Sequence, residues 1–374
     1  MTLISADNDF ALLGLIITLV ALGIAMESRP RIGQFGVIFI ILFPALLSAL
    51  DVMPRGASVY AMVVNDFVPL SLPMLLFQAD LRRIWRESGR VIIAFFGAAA
   101  ATVVGALLAI PLVDMGAEEG VWAGILTAGF IGGSANAGSV AVAMNKAADP
   151  LMGVAVASVF AVAVPFLALL LALPNMPRLW RLFSPHESSA VSLPQADMQA
   201  ERRSITSLSL VSSLALSALI CIASESIAVA LNYPPAKFLM ITLISVAFAT
   251  LMPARAASLH GHYELGQILI YCFFAVIGVQ INFVLALTEG GQIMLFTGIL
   301  LTVHLVLLSL FGRLLKLSGA ELAVASNACI LSAPTAAAMA VARGWHNLVT
   351  PALLCGVFGY AIANLVGISL AELL

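Results

Sequence analysis

The feature that most limits what this chain can fold into is a series of twelve apolar runs separated by short polar breaks. They fall at 10–26, 35–50, 59–77, 91–113, 121–146 and 151–173, and then at 207–230, 238–251, 265–287, 291–315, 321–343 and 348–370. Most approach the roughly 20 residues that a helix needs to cross a bilayer. With 62% hydrophobic and only 10% charged residues, the chain lies outside the composition of soluble domains, where about a quarter of residues are charged. The expected fold class is an all-α polytopic membrane protein, with the lipid bilayer as its solvent and no role in binding nucleic acid. Cys221, Cys272, Cys329 and Cys355 lie inside apolar runs without CxxC or His pairing, as expected of packing residues rather than of a disulfide or zinc framework. The amino-terminal MTLISADNDF lacks a basic leader, so the first run is expected to be retained.

One run is unlike a plain crossing. Residues 121–146 read VWAGILTAGF-IGGSAN-AGSVAVAMNK, with Gly132, Gly133, Ser134 and Asn136 at the centre, residue types that suit a helix interior poorly. Backbone that leaves helical geometry at membrane depth must be buried in protein or line a watery cavity, because lipid cannot satisfy its N–H and C=O groups. Each arm is about ten residues, or roughly 16 Å of helix, half of a roughly 30 Å hydrocarbon core.

Charge placement bears on the path. If all twelve runs crossed, Arg82, Arg83, Arg86 and Arg90 would face the opposite side from Arg178, Arg181, Arg202 and Arg203 in the linker 174–204. If the fifth and eleventh runs are re-entrant hairpins, those clusters fall on one side with Arg29, Arg31, Arg255, Arg313, Lys316 and Arg343, as the positive-inside rule requires. Only Arg55, Lys146 and Lys237 remain opposite. The expectation is about ten transmembrane helices plus two re-entrant or broken hairpins, with the linker cytoplasmic. A continuous but unwound crossing helix is the competing reading of 121–146.

Five crossings and a hairpin on either side of the linker place the second set in the opposite orientation. The expected organisation is a first inverted repeat at 1–173, the linker at 174–204 and a second repeat at 205–374. Residues 321–343, ELAVASNACI-LSAPT-AAAMAVAR, are the partner of the glycine-rich run, with Pro334 stopping the helix by removing an N–H. Gln78 and Asp80 align with Gln280 and Asn282. Inverted repeats with paired interrupted helices are characteristic of secondary transporters.

IGGSAN with the following SVAVAMN, the LLFQADLRRIWRESGR boundary and the SAPTAAAMAVA second tip resemble the integral-membrane family of domain of unknown function 819. The chain also looks like a member of the superfamily joining cation:proton antiporters to glutamate:sodium, citrate:sodium and bile acid:sodium symporters. The resemblance implies glycine-rich tips that bind substrate and sodium, and a core that moves like an elevator against a dimeric scaffold, hence a homodimer. It maps substrate binding to Gly132, Gly133, Ser134 and Asn136, and to Ser332, Pro334 and Thr335. The chain departs from the family in Ala137-Gly138-Ser139 directly after Asn136.

Read residue by residue, Ser134, Asn136, Asn327 and Ser332 offer neutral oxygens for sodium, with Ser139, Asn364 and Asp66 as further ion-coupling candidates. Each has a plainer reading: Ser134 and Asn136 as local caps, Asn327 and Asn364 as interhelical hydrogen-bonders. Asp66 lies about 15 Å into its run, where an ionisable group is functional by default, unless its helix starts late and it meets outer water. His304 is mid-run and could carry protons or simply pack; Glu225 is expected at an interface, and Asp80 and Arg82 as a cap and anchor. There is no HExxH, GxSxG, Walker A or dinucleotide motif, so no enzyme and no organic cofactor is expected. The expected activity is sodium-coupled symport of a small organic anion in the cell inner membrane. Alternatives are proton coupling through Asp66 and, from another class, an intramembrane enzyme or receptor in which Asp66, His304 and a tip serine converge. The two tips are expected to meet at the midplane, Ser134 and Asn136 facing Ser332 and Thr335 across the solute.

Overall fold

A computed structural model of the protein describes residues 2–29, 36–184, 205–281 and 290–374. Arg31, Arg202, Arg203 and Asn282 lie outside the described residues, as does most of the linker beyond Ser184. The first half contains α1 (Asp9–Glu27), α2 (Gly36–Ala49), α3 (Ser58–Leu76), the short α4 (Leu81–Glu87), α5 (Arg90–Ala109), the pair α6 (Glu119–Gly132) and α7 (Ser134–Ala143), and α8 (Pro150–Ala172). A short helix α9 (Pro177–Phe183) opens the linker. The second half contains α10 (Ser207–Ala230), α11 (Ala236–Leu251), the short α12 (Pro253–Ser258), α13 (His262–Gln280), α14 (Gly290–Leu314), the pair α15 (Gly319–Ile330) and α16 (Ala333–Ala342), and α17 (Val349–Leu373).

Eight of these helices are long and apolar enough to cross a membrane, and α2 and α11 are shorter apolar helices. The pairs α6/α7 and α15/α16 have arms of 14 and 10, and 12 and 10 residues. At 1.5 Å per residue these arms are roughly 15–21 Å long, too short to cross alone.

Both pairs fold back on themselves. Lys146, just past α7, forms a salt bridge with Glu118, just before α6. Two arms laid end to end would hold those residues more than about 30 Å apart. Gly129 also lies against Ala137 across the break. In the second pair, Asn327 Nδ2 reaches Met339 Sδ at 3.5 Å, although twelve residues of continuous helix would separate them by about 18 Å. Its two mouths converge on one side chain: Gly319 packs on the face of Trp180, and Trp345 stacks on the same indole with centroids 6.2 Å apart.

The hairpins enter from opposite sides. Arg343 Nη1 donates to Asn175 Oδ1 at 2.9 Å, Ser184 Oγ donates to Leu317 O at 2.8 Å, and Arg313 bonds the Leu182 carbonyl. Those contacts gather the second hairpin's mouths and the end of α14 at the linker. Arg90, at the start of α5, bonds the Leu315 carbonyl at 3.1 Å and lies 3.6 Å from Glu321, so α5 starts on that same linker side. Helix α5 then carries the chain across, and Glu118 and Lys146 mark the mouth of the first hairpin opposite.

Equivalent helices of the two halves run antiparallel. Along α5 and α14, Gly97 meets Phe311, Thr102 meets His304 and Gly105 meets Leu300, residue numbers rising on one helix as they fall on the other. Pairings are also reciprocal: α2 packs on α13 as α11 packs on α3, and α1 on α13 as α10 on α3. Reciprocal packing of this kind is the pattern that an inverted repeat is expected to produce.

Local chemistry sets the boundaries. Ser318 and Glu321 form a capping box that starts α15, Ser318 N donating to Glu321 Oε2 at 2.8 Å and so satisfying orphan N–H groups at the second mouth. Asp80 caps α4, accepting from Arg82 N and Arg83 N. Asp149 caps α8 by accepting from Leu151 N at 2.9 Å.

Candidate functional site

The first tip turns at Gly133, whose φ of +83° and ψ of 179° lie in a region open essentially to glycine alone. Any other residue there would strain the turn. Ser134 follows, exposed and without a side-chain hydrogen bond among the described residues. Asn136 is buried and bonded to α17. Its Nδ2 donates to Tyr360 O at 3.0 Å and to Asn364 Oδ1 at 2.9 Å, both on α17. Ser139 Oγ lies 2.6 Å from the same Asn364 oxygen. Asn364 Nδ2 then donates to Thr242 Oγ1 on α11 at 3.0 Å. Thus the first tip is bonded through a fully buried asparagine to two other helices. Asn136 Oδ1 accepts no hydrogen bond from the described residues and rests against Gly132, leaving an amide oxygen available at the turn.

The second tip closes on itself. Thr335 Oγ1 donates to Asn327 Oδ1 at 2.8 Å and lies 3.0 Å from Ser332 Oγ, which in turn accepts from Thr335 N at 3.3 Å. Asn327 is fully buried, whereas Pro334 is exposed. Asn327, Ser332 and Thr335 therefore form one cluster, and Asn136, Ser139 and Asn364 another. No hydrogen bond joins the two among the described residues.

What brings the tips together is α17. Ala333 of the second tip lies directly on Gly356, and the Ile131 carbonyl of the first tip lies on Gly359. The ring of Tyr360 sits beside Gly133, 3.4 Å from where a β-carbon would be. Three residues of helix are about 4.5 Å, so both tips rest on adjacent turns near the centre of one helix. Thr242 and Tyr360 are site residues not singled out from the sequence. The Tyr360–Asn364 spacing of one turn was the available signal, since it puts a backbone carbonyl and a side-chain amide on one face.

His304 sits deep in the bundle on α14. Thr102 donates its hydroxyl to Ala98 O at 2.8 Å, so its oxygen accepts from His304 Nδ1 at 2.9 Å. The other ring nitrogen, Nε2, then accepts from Ser326 Oγ at 2.9 Å. The network assigns a neutral Nδ1–H tautomer whose nitrogens are both occupied. Ser326 adjoins Asn327, so the imidazole pins the entering arm of the second hairpin to α5 and α14.

Asp66 lies in a π-helical turn, Val63–Phe67, in the middle of α3. Proline explains the irregularity: Pro69 offers no N–H to Asn65 O, nor Pro73 to Pro69 O. Neighbouring helices satisfy the following carbonyls, with Cys221 Sγ 3.3 Å from Pro69 O, Ser217 Oγ donating to Leu70 O at 2.6 Å, and His262 Nδ1 2.6 Å from Met74 O. Asn65 and Asp66 themselves are exposed, with no side-chain hydrogen bond or ion pair among the described residues. Helix α3 packs on α7 just beyond this turn. Glu225 is bonded to Lys237 on the side opposite the linker. An open cleft of about 390 Å³ lined by Met294, Leu295, Gly298, Ile299, Thr302 and Val303 is one outward strip of α14 and holds none of the tip residues.

The fold and the site define an α-helical, multi-pass membrane protein built around two facing re-entrant hairpins. Residues 14–374 match the family described as protein of unknown function (DUF819), and the chain belongs to that family. It is similar to an uncharacterized membrane protein, YjcL, of Bacillus subtilis strain 168, with 30% identity over 390 residues covering 98% of this chain and 97% of the relative.

Proposed function

We propose that the protein is a secondary active transporter that moves a small organic anion together with sodium across the cell inner membrane, with the linker 174–204 in the cytoplasm. The observation that carries this reading is the convergence of two oppositely entering hairpin tips on the middle of α17. Each tip joins the end of one half-helix to the start of another, placing carbonyl-rich and N–H-rich ends together at depth. Free N–H groups at the start of α7, at Ser134 and Ala135, suit a substrate carboxylate. Neutral oxygens suit sodium: Asn136 Oδ1 at the first tip, and those of Asn327, Ser332 and Thr335 at the second. Gly132 and Gly133 keep the backbone close, while Ser139 and Asn364 hold Asn136 in place. Both tips contact α17, so it moves with them as a core; the Asn364–Thr242 bond is the polar contact to be exchanged against α11 in an elevator-type step, on a scaffold that pairs as a homodimer.

Proton coupling through Asp66 is the second reading, favoured by its exposed carboxylate, unpaired among the described residues, in a π-helical turn within an apolar helix. An intramembrane enzyme has less support, because His304 is occupied by Thr102 and Ser326 rather than by Asp66 or a tip serine.

The test is thermal unfolding of purified protein with organic acids, amino acids and peptides, in sodium and in potassium. A substrate at a hundred times its Kd stabilises by about 2.7 kcal/mol. Stabilisation should require sodium and be lost in Asn136→Ala. If no compound stabilises in sodium beyond potassium, sodium symport fails; if stabilisation tracks pH and disappears in Asp66→Asn, the second reading replaces it.

A further inference from the structure

The first residues of the linker are folded onto the second hairpin, and no role assigned above accounts for how closely they fit it. Helix α9 turns Phe183 into the core and leaves Arg178, Leu179, Arg181 and Leu182 exposed. Trp180 stands between those faces, half-buried. The six-membered ring of its indole lies against Gly319, where a β-carbon would come within 2.4 Å of Cζ2. The ring of Trp345 lies nearly parallel to it, with 17° between the planes. Gly319 is the first residue of α15, and Trp345 follows α16, donating its N–H to the Ala340 carbonyl at 2.8 Å. One side chain of the linker thus touches both ends of the hairpin at its mouth.

Hydrogen bonds hold α9 in that position. Its last carbonyls have no partner within the helix, and α14 meets them: Ser309 Oγ lies 3.0 Å from Leu182 O and 2.9 Å from Phe183 O, and Arg313, one turn further on, also bonds Leu182 O. Ser184 donates to Leu317 O in the connection from α14 to α15, and Arg343, just past α16, donates to Asn175. The arm with the least to hold it is α16. It packs chiefly on α15 and α17, and its sequence, APTAAAMAVA, has Met339 as its one long side chain. Gly344, with a φ of +72° and open space around it, makes the turn directly before Trp345. A slender arm with a glycine joint breaks few contacts when it moves.

We propose that Trp180 is a latch on the second hairpin: docked between Gly319 and Trp345 it holds α16 against α15, and the returning arm swings away only after the indole leaves. The contacts between the arms define what the latch controls. Asn327 on α15 bonds Thr335 Oγ1, Thr335 O and Met339 Sδ on α16, so parting the arms opens the Asn327–Ser332–Thr335 cluster. The mouth of the first hairpin is closed differently, by the Glu118–Lys146 ion pair across its own ends. The start of the linker therefore acts on one hairpin and leaves the other alone. This inference goes beyond the transport reading and does not depend on it, because it concerns the opening of the hairpin whatever the solute.

The test is hydrogen–deuterium exchange of the full-length protein in lipid nanodiscs, with no solute added, read by mass spectrometry on peptides from 333–345 and from 121–146. Trp180→Ala should speed exchange across 333–342 by about threefold to tenfold, the range that losing one aromatic stack corresponds to, with 121–146 unchanged. Gly319→Ala keeps the indole but puts a methyl group where the ring lies, and should have the same effect. Trp180→Phe, whose smaller ring fills part of the slot, should have less. If Trp180→Ala does not fold, Gly319→Ala and Trp180→Phe decide the matter by the same two peptides. A rise confined to 333–342 supports the latch. Unchanged exchange there overturns it, and so does an equal rise in both hairpins, which is what general loosening of the bundle would produce.

Discussion

The two hairpins reach the same depth by different chemistry. The first turns on a glycine, and its key amide is bonded outward to α17 and, through Asn364, to α11. The second turns beside a proline, and its polar groups, Asn327, Ser332 and Thr335, are bonded to one another. A tip that is bonded outward is positioned by its neighbours and shifts when they shift. One that is bonded inward carries its geometry with it. Two hairpins of similar length thus differ in what fixes them, the first held by the surrounding helices and the second by its own cluster of polar groups.

The largest expected effect breaks the first tip at its turn. Gly133→Ala forces a β-carbon into a backbone region reserved for glycine, at about 1–3 kcal/mol, and should both lower the unfolding temperature and remove ligand stabilisation. Next comes the contrast between the two asparagines. Asn364→Leu removes one hydrogen bond each from Asn136, Ser139 and Thr242, which keep Tyr360 O, Asn136 O and Phe238 O as partners, whereas Asn327→Leu removes bonds to Thr335, which keeps Ser332, and to Met339 Sδ. The first should cost about 2 kcal/mol and the second about 1 kcal/mol, allowing for the modest value of hydrogen bonds within membranes. Equal losses on chemical denaturation in detergent would remove the distinction between outward and inward bonding.

Pro334→Ala should change stability by less than about 1 kcal/mol, because Pro334 is exposed and the Ser332–Thr335 cap persists without it. A loss as large as that of Gly133→Ala would make the second turn as dependent on its residue as the first. Smallest is the clasp at the mouth of the first hairpin. Glu118→Gln should cost no more than about 1 kcal/mol, as for other exposed ion pairs. The Glu118 hydrogen bond holds the Lys146 ammonium above its ordinary value of 10.5. A raised lysine stabilises the fold fully below its unfolded value and loses that contribution as pH climbs through the folded one. Stability from this clasp should therefore be flat through neutral pH and fall only in strong alkali, which an unfolding series in pH would show.

Much of this architecture was legible in the chain. Run lengths and composition were enough for an all-α, multi-pass membrane fold, because lipid excludes charge and unsatisfied backbone so strictly. Gly132–Gly133 and Pro334 located both breaks. What the residues could not reveal was the direction each side chain takes. Asn136 turns toward Asn364 rather than toward Ser332, an outcome set by how α17 packs on α6. Nor did Asp66 disclose that its helix would adopt a π turn, which depends on Pro69 and Pro73 together with donors from α10 and α13.

The glycine pair on α17 has a consequence for rotation. A helix advances about 100° per residue, so turning α17 by a single residue would replace Gly359 with Phe358 or Tyr360 beneath the Ile131 carbonyl and bring a bulky neighbour of Gly356 onto Ala333. Neither position has room for more than a hydrogen atom. The two tips together therefore act as a key in a slot, allowing α17 to travel with them while forbidding it to spin. The azimuth of Asn364, and with it the aim of the amide that holds Asn136, is set by two absent methyl groups about one and a half to two turns away.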